Sequence, residues 1–215
     1  EVCLNAIKKA NQLGQKYTMK SKGTLGYVFM KLGNLDRSDD YSQQAFDLGS
    51  KYKDTSVMLG SLNILGLNLK NSGKSDEALG VFEKALKLSK KANNLQRESQ
   101  ILYNISNIYM KRGDSEKGMQ YFNESIEISK KSKSYRSTAL NFHALALNFY
   151  AQGKLNEALA AADSAVEYAL MSKNWEVMMN SFANLAHLCF ANGEYQDAYA
   201  CMTHAYVYKD SMNLA

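Results

Sequence analysis

The histidines, carboxylates and hydroxyls of this chain do not form a catalytic pattern. His143 and His187 would need a third ligand to hold zinc, and no carboxylate or thiol stands at a suitable position. Asp76 and Glu77 are adjacent and therefore point apart on a helix. The sequence has no nucleophile elbow and no phosphate-cradling glycine loop. We therefore expect no enzyme, metal or cofactor, and we interpret both histidines as polar surface residues.

The cysteines are equally uninformative about chemistry. Cys3, Cys189 and Cys201 are odd in number and lack metal-ligand spacing, so we expect small buried thiols. Cys189 and Cys201 could lie on facing helices, which leaves a disulfide between them as an alternative. Their number and spacing do not identify a compartment.

The composition is that of an ordered protein. Apolar residues make up 46% and charged residues 22%, and the net charge is +5. The lysines cluster near predicted helix ends among acidic residues, so we do not expect a nucleic-acid binder, which remains a distant alternative. The uncharged stretches 137–153 and 177–193 contain Asn, His, Gln and Ser, which indicates buried helices and no membrane insertion.

The elements that would position these side chains follow from a forty-residue repeat. Before each periodic glycine, apolar residues at i, i+3, i+4 and i+7 form one helical stripe, whose third member is always small, as in Gly66. A second stripe follows, as at Ala78, Phe82 and Ala85. Each unit should be helix A, a turn at a glycine with positive φ, and an antiparallel helix B. The glycines are Gly33, Gly73, Gly113, Gly153 and Gly193.

This periodicity predicts one solenoid over residues 1–215. Polar breaks such as Asp54 and Asn93-Asn94 should end the B helices. Residues 1–18 look like a half-unit, because Val2, Cys3, Ala6 and Ile7 echo Val81, Phe82, Ala85 and Leu86. The predicted repeats are 19–58, 59–98, 99–138, 139–178 and 179–215.

The pattern resembles the tetratricopeptide repeat, with the best match at Leu65-Gly66, Gly73, Ala78, Phe82 and Ala85. The common period is about 34 residues and a proline usually closes helix B, whereas this chain has a period of forty and no proline. Long-period versions occur in bacterial signalling regulators and motor-protein light chains. The resemblance implies an all-α, right-handed α-solenoid superhelix of stacked antiparallel helix hairpins.

The resemblance also implies a concave groove lined by helix A, which would bind a protein or peptide. Asparagine both donates and accepts hydrogen bonds, so it can hold a peptide backbone, while lysine favours some negative charge on the ligand. The alternative is that these side chains are merely solvated. The predicted groove residues are Tyr27, Lys31, Asn63, Lys70, Tyr103, Asn104, Asn107, Lys111, His143, Tyr150, Asn180, Asn184 and His187.

Context comes from a short segment near the end of the chain. Lys209-Asp210-Ser211 is similar to a segment that leads from the repeats towards a membrane helix in Bacteroides-type regulators. We therefore expect the sensing or scaffolding segment of a larger bacterial regulator, with the periplasmic face of a membrane favoured over the cytoplasm. A freestanding adaptor is the alternative. Neither the partner's identity nor the oligomeric state follows from the sequence.

Overall fold

The computed structural model describes residues 3–5, 7, 8 and 14–213, with only the backbone described for 211–213. Within those residues the chain forms ten long α-helices, a 3-10 turn at Gln15–Tyr17 and no strand. The helices are α1 (Thr18–Lys31), α2 (Leu35–Lys51), α3 (Thr55–Asn71), α4 (Ser75–Lys91), α5 (Leu95–Lys111), α6 (Ser115–Lys131), α7 (Tyr135–Ala151), α8 (Leu155–Ser172), α9 (Trp175–Ala191) and α10 (Tyr195–Asn213).

The helices pack on their neighbours in sequence order within two compact units, Glu1–Met119 and Gln120–Ala215. In the first unit each helix from α1 to α5 packs on the next, and the A helices α1, α3 and α5 also contact one another in turn. In the second unit α7, α8, α9 and α10 pack in the same way, and α7 contacts α9. Nearest-neighbour packing of hairpins is typical of repeat proteins, so the predicted all-α hairpin architecture is confirmed.

The turn from helix A to helix B depends on glycine, as predicted. Gly33, Gly73, Gly113, Gly153 and Gly193 all have positive φ, between 74° and 84°. At Gly73 the following Lys74 amide donates to the carbonyl of Leu69 at 2.9 Å, which closes the end of α3 as in a Schellman motif. A residue without Cβ adopts this backbone without steric cost, which explains why glycine occupies this turn in each unit.

The turn from helix B back to helix A uses positive φ without glycine, which the sequence did not suggest. Helix B ends at the predicted polar breaks. A side chain caps the next helix at three of the four breaks, as where Asp54 accepts a hydrogen bond from the Val57 amide at 3.1 Å, whereas Ser134 makes no such bond. Each break contains a non-glycine residue in the left-handed region, at a strain cost. These residues are Lys53, Asn93, Lys133 and Lys173, with φ between 50° and 56°.

The core forms where the two apolar stripes of a hairpin meet. Phe82 of α4 is fully buried and lies over Gly66 of α3, where an added Cβ would be 2.6 Å from the ring. A Cβ added to Gly26 would lie even closer to the hydroxyl oxygen of Ser42 in α2. The small position predicted in helix A is therefore the point of close helix approach.

Two sequence expectations have a limited structural outcome. Cys3 and Ile7 of the predicted half-unit are helical, whereas Val2 and Ala6 lie outside the described residues. α3 and α5 begin at Thr55 and Leu95, ahead of the repeat boundaries at 59 and 99, but the starting point of a repeat is a choice of phase. The division into repeats of one solenoid stays a prediction.

No helix in the described part of the chain has the length and hydropathy needed to cross a bilayer.

Candidate peptide-binding face

The predicted groove residues all lie on A helices, whose surface within each unit we call the A face. Their burial differs. Six are exposed (Tyr27, Lys31, Lys111, Tyr150, Asn180, His187), and four are half-buried (Lys70, Tyr103, Asn107, His143). The remaining three, Asn63, Asn104 and Asn184, are buried, with 8%, 4% and 7% of their surface exposed. That they contact a partner stays a prediction.

The buried asparagines connect neighbouring A helices. In the first unit the Asn104 Nδ2 amide donates to Asn63 Oδ1 at 2.9 Å and so joins α5 to α3. This bond uses the oxygen of Asn63 and does not involve its NH2 group. A buried polar side chain here is therefore structural and still has hydrogen-bonding capacity.

The second unit repeats this arrangement with histidine as the acceptor. Asn184 Nδ2 lies 3.1 Å from His143 Nδ1 and 3.4 Å from the His143 carbonyl, across the same separation of 41 residues. An amide donor at Nδ1 requires the neutral imidazole with its proton on Nε2. Burial lowers the pKa of His143, which favours the same neutral form. The Asn184 Oδ1 atom is buried and has no hydrogen-bond partner.

An open pocket of about 530 Å³ lies beside this pair. Four predicted residues line it, His143, Asn180, Asn184 and His187, together with Leu147 and Ala183. Tyr150 lies at its edge, because its ring contacts His187 edge-on with centroids 5.3 Å apart. The second unit therefore brings together the predicted residues of α7 and α9.

The first unit contains a pocket of about 410 Å³ that the sequence interpretation largely missed. Among the predicted residues only Tyr27 and Asn63 line it. Its floor includes Gly60 of α3, and Gly23 of α1 lies in its wall. The alignment of the repeats contains a signal for this pocket, because the positions that match the two glycines hold larger side chains in later units. Gln100 matches Gly60, and His143 matches Gly23.

The A helices of the first unit also present lysines. Lys31 Nζ is 5.6 Å from the centre of the Tyr27 ring, a cation–π distance. Burial, and then the charge of Lys111, lowers the pKa of Lys70. Lys70 and Lys111 are thus close enough to repel each other, and an anion beside them would remove that repulsion.

The remaining candidate chemistry is not assembled in the structure. In the part of the chain that is described, no group of three or more histidines, cysteines and acids could hold a metal. Cys189 is buried and Cys3 and Cys201 are half-buried; all three are free thiols, so the alternative disulfide is not formed. His204 packs against Phe182 with ring centroids 5.0 Å apart.

Solved structures with the same fold come from several kinds of protein. BtubC (BKLC) of P. vanneervenii has a TM-score of 0.77 at 18% identity, covering 99% of this chain and 90% of its own. A signal transduction ATPase with a tetratricopeptide repeat sensor from Pyrococcus horikoshii has a TM-score of 0.70 at 20% identity, covering 89% of this chain and 31% of its own. Aspartyl phosphate phosphatase F of Bacillus subtilis has a TM-score of 0.63 at 15% identity, covering 90% and 49%. At these identities the likeness shows the fold alone.

Family models identify the repeats themselves. Two tetratricopeptide repeat models match residues 58–98 and residues 97–170, which together span more than half of the chain. No curated protein matches the sequence closely enough to be a relative. The matched residues include the Gly66–Phe82 contact and the glycine turns at Gly73 and Gly113. The chain belongs to the tetratricopeptide repeat family.

Proposed function

We propose that the A face binds an extended peptide or partner segment, and that the chain is the sensing or scaffolding part of a larger bacterial regulator. Tetratricopeptide repeats are protein–protein interaction modules, and their fold is typically non-catalytic. The proposal adds to this a binding face and a place in a larger protein.

One observation carries the binding proposal: the Asn104–Asn63 and Asn184–His143 pairs leave complementary polar groups beside pockets on the A face. Asn63 retains an NH2 donor at the first pocket, and Asn184 retains an acceptor oxygen at the second. A peptide backbone carries one donor and one acceptor at almost every residue, so it can satisfy both kinds of group without a particular sequence. Exposed Tyr27, Tyr150 and Leu147 add apolar contact area.

The binding proposal is tested with a set of exposed side chains on the A face. Peptides are first selected from a random dodecapeptide library displayed on phage, and their affinities are measured by fluorescence anisotropy. The combined variant Tyr150→Ala, Asn180→Ala, His187→Ala, all in the second unit, should weaken binding by about tenfold or more, because each lost contact costs about 0.5–1.5 kcal/mol. These side chains are exposed, so the fold should be retained.

A matched control uses exposed residues of B helices. The variant Asn123→Ala, Asn156→Ala, Tyr199→Ala removes a similar amount of surface from α6, α8 and α10 and should leave the affinity unchanged. Equal affinities for the wild type and the A-face variant would place binding elsewhere and contradict the proposal.

The regulator proposal is supported by the Lys209-Asp210-Ser211 segment and by the solved ATPase whose repeats are described as a sensor. A periplasmic location stays a prediction. Sequencing the gene beyond codon 215 tests both ideas. A membrane helix followed by an output domain is expected, whereas a stop codon would leave the freestanding adaptor as the better description.

A further inference from the structure

The geometry and charge of the first unit point to an acidic segment of the partner peptide as the ligand of its pocket. We call this pocket, lined by residues of α1, α3 and α5 including Gly60, Ser61 and Arg97, the glycine-floored pocket. The inference rests on the proposed function and adds the chemical class of the ligand. It concerns an internal acidic stretch, so its test uses peptides whose C-terminal carboxylate is removed by amidation.

The pocket is open because its floor lacks a side chain. Gly60 is helical, and a Cβ added to it would have no heavy atom within 4 Å, so the space above it is empty. Ser56 and Ser61 of the same helix are also small. The volume of about 410 Å³ lies within the usual range for ligand sites, about 300–1,000 Å³. It has room for more than one side chain of an extended peptide.

The charge around the pocket has one sign. Lys20 and Arg97 line the pocket, and no carboxylate is among its described lining residues. The helices α1 and α3 contain no Asp or Glu at all. The one acid of α5, Glu98, is buried with its carboxylate 3.9 Å from Lys90 Nζ. The cations of this face therefore have no acidic partner on their own helices.

The pocket also offers hydrogen-bond donors suited to a carboxylate. The guanidinium of Arg97 donates to Gln100 Oε1 at 2.8 Å, a neutral partner that leaves other N–H groups available. The Ser61 hydroxyl is buried, lines the pocket and has no hydrogen-bond partner. The NH2 group of Asn63 is a further donor. Charged hydrogen bonds of this kind are stronger than neutral ones, so a carboxylate gains more here than an amide.

The apolar part of the lining accommodates the rest of an acidic side chain. Met19, Val57 and Ile64 come from α1 and α3 and lie beside the polar groups. Methylene groups of Glu can lie on this surface while the carboxylate reaches the cations, as long charged side chains commonly do. The second unit's pocket differs, because His143, Asn180 and His187 line it without Lys or Arg. The acidic preference should therefore belong to the first unit.

The experiment uses the dodecapeptides selected on the wild-type chain, synthesised with amidated C-termini. We expect Asp and Glu to be enriched, and replacing them by Asn and Gln to weaken binding by about tenfold or more. Gly60→Leu fills the pocket and should weaken binding by a similar factor. Gly80→Leu is the matched control, because Gly80 is also helical, with open space around it, but lies on α4 away from the pocket. It should bind as the wild type does.

Two variants that each remove one positive charge, one in the pocket and one away from it, test the inference even if Gly60→Leu lowers the stability of the protein. Arg97→Gln should weaken acidic peptides about tenfold and reduce the dependence of their affinity on salt, because one charged contact is lost. Lys87→Gln, an exposed lysine of α4, should change neither quantity. Circular dichroism melting curves verify that each variant is folded.

The outcomes separate this inference from the proposed function. Peptides without acidic enrichment, whose affinity is insensitive to Gly60→Leu and Arg97→Gln, would overturn the inference, while the A-face variant would still test the function. Selection of no binding peptide would overturn both. Tighter binding of a twelve-nucleotide single-stranded DNA at the same pocket, weakened by the same variants, would replace the acidic peptide by a nucleic acid.

Discussion

Replacing Gly66 by Ala should destabilise the first unit, although alanine is the better helix former. The added Cβ would lie 2.6 Å, 2.7 Å and 3.0 Å from three ring atoms of Phe82. That ring is fully buried, so it cannot move into solvent to make room. Either the ring must leave its preferred rotamer or α3 and α4 must separate, and both responses cost packing energy.

The expected magnitude follows from two opposing effects. Overpacking of a core costs about 1–3 kcal/mol. Alanine in place of glycine within a helix returns about 0.5–1 kcal/mol. The free energy of unfolding should therefore fall by up to about 2.5 kcal/mol, with about 1 kcal/mol as the midpoint. Gly80→Ala, in the same hairpin but without close neighbours, should instead stabilise the unit by about 0.5–1 kcal/mol.

Chemical denaturation measures both variants. Circular dichroism follows all helices, while the fluorescence of Trp175 reports on the second unit. A comparison of the two unfolding curves therefore shows which unit has lost stability. Phe82→Leu in the Gly66→Ala background should recover part of the stability, since it removes the ring atoms that clash, and a double-mutant cycle should show this as coupling. A Gly66→Ala protein as stable as Gly80→Ala would refute the close approach of α3 and α4.

Three further perturbations test other features of the structure. Lys133→Gly should raise the free energy of unfolding, measured by chemical denaturation, by about 0.5–1 kcal/mol, because Lys133 has a φ of 52° and glycine removes that backbone strain. An unchanged free energy of unfolding would contradict the left-handed turn. Burial raises the pKa of Cys189 to about 11 from 9.0, so at pH 8 its thiolate fraction is about 100-fold smaller than that of an unshifted thiol. Its reaction with a disulfide reagent should then be about tenfold slower, since a thiolate of higher pKa is more nucleophilic; a Cys3→Ser, Cys201→Ser variant in which Cys189 reacts at the unfolded rate would disprove this. Because burial lowers the pKa of His143 below 6.5, its contribution to stability should be complete above pH 6.5 and should decline as the pH falls below that value. In the His143→Gln variant the free energy of unfolding should fall less steeply over this pH range. A variant and a wild type with identical pH profiles of stability would exclude the effect.

The hairpin architecture could be read from the sequence because it depends on local and periodic signals. The glycines that end the A helices must adopt positive φ, and the stripe around Phe82 must face the small position at Gly66. Both constraints recur every forty residues, so each copy supports the interpretation of the others. The breaks that end the B helices were also visible, but the left-handed backbone at Lys53 was not, because lysine carries no preference for it.

The binding face was predicted only in part because side-chain position on a helix does not report what the neighbouring helix offers. Asn104 and Asn184 were expected to point at a ligand, yet each is buried and donates to the preceding A helix. The pocket over Gly60 was missed because it arises from an absent side chain flanked by two other helices. An alignment of the repeats against one another contains that signal as an unusually small residue.

The sequence by itself determined the repeat, its period, the glycine turns and polar breaks that end the helices, and the residue types of the A helices, since these follow from local backbone preferences and from the spacing of apolar side chains. Only the tertiary structure decided which polar groups form hydrogen bonds between helices and which remain available to a ligand. That distinction depends on distances between residues about forty positions apart, such as the 2.9 Å between the amides of Asn63 and Asn104. Packing in three dimensions sets those distances, and hydrogen bonding has too short a range to be inferred from spacing along the chain.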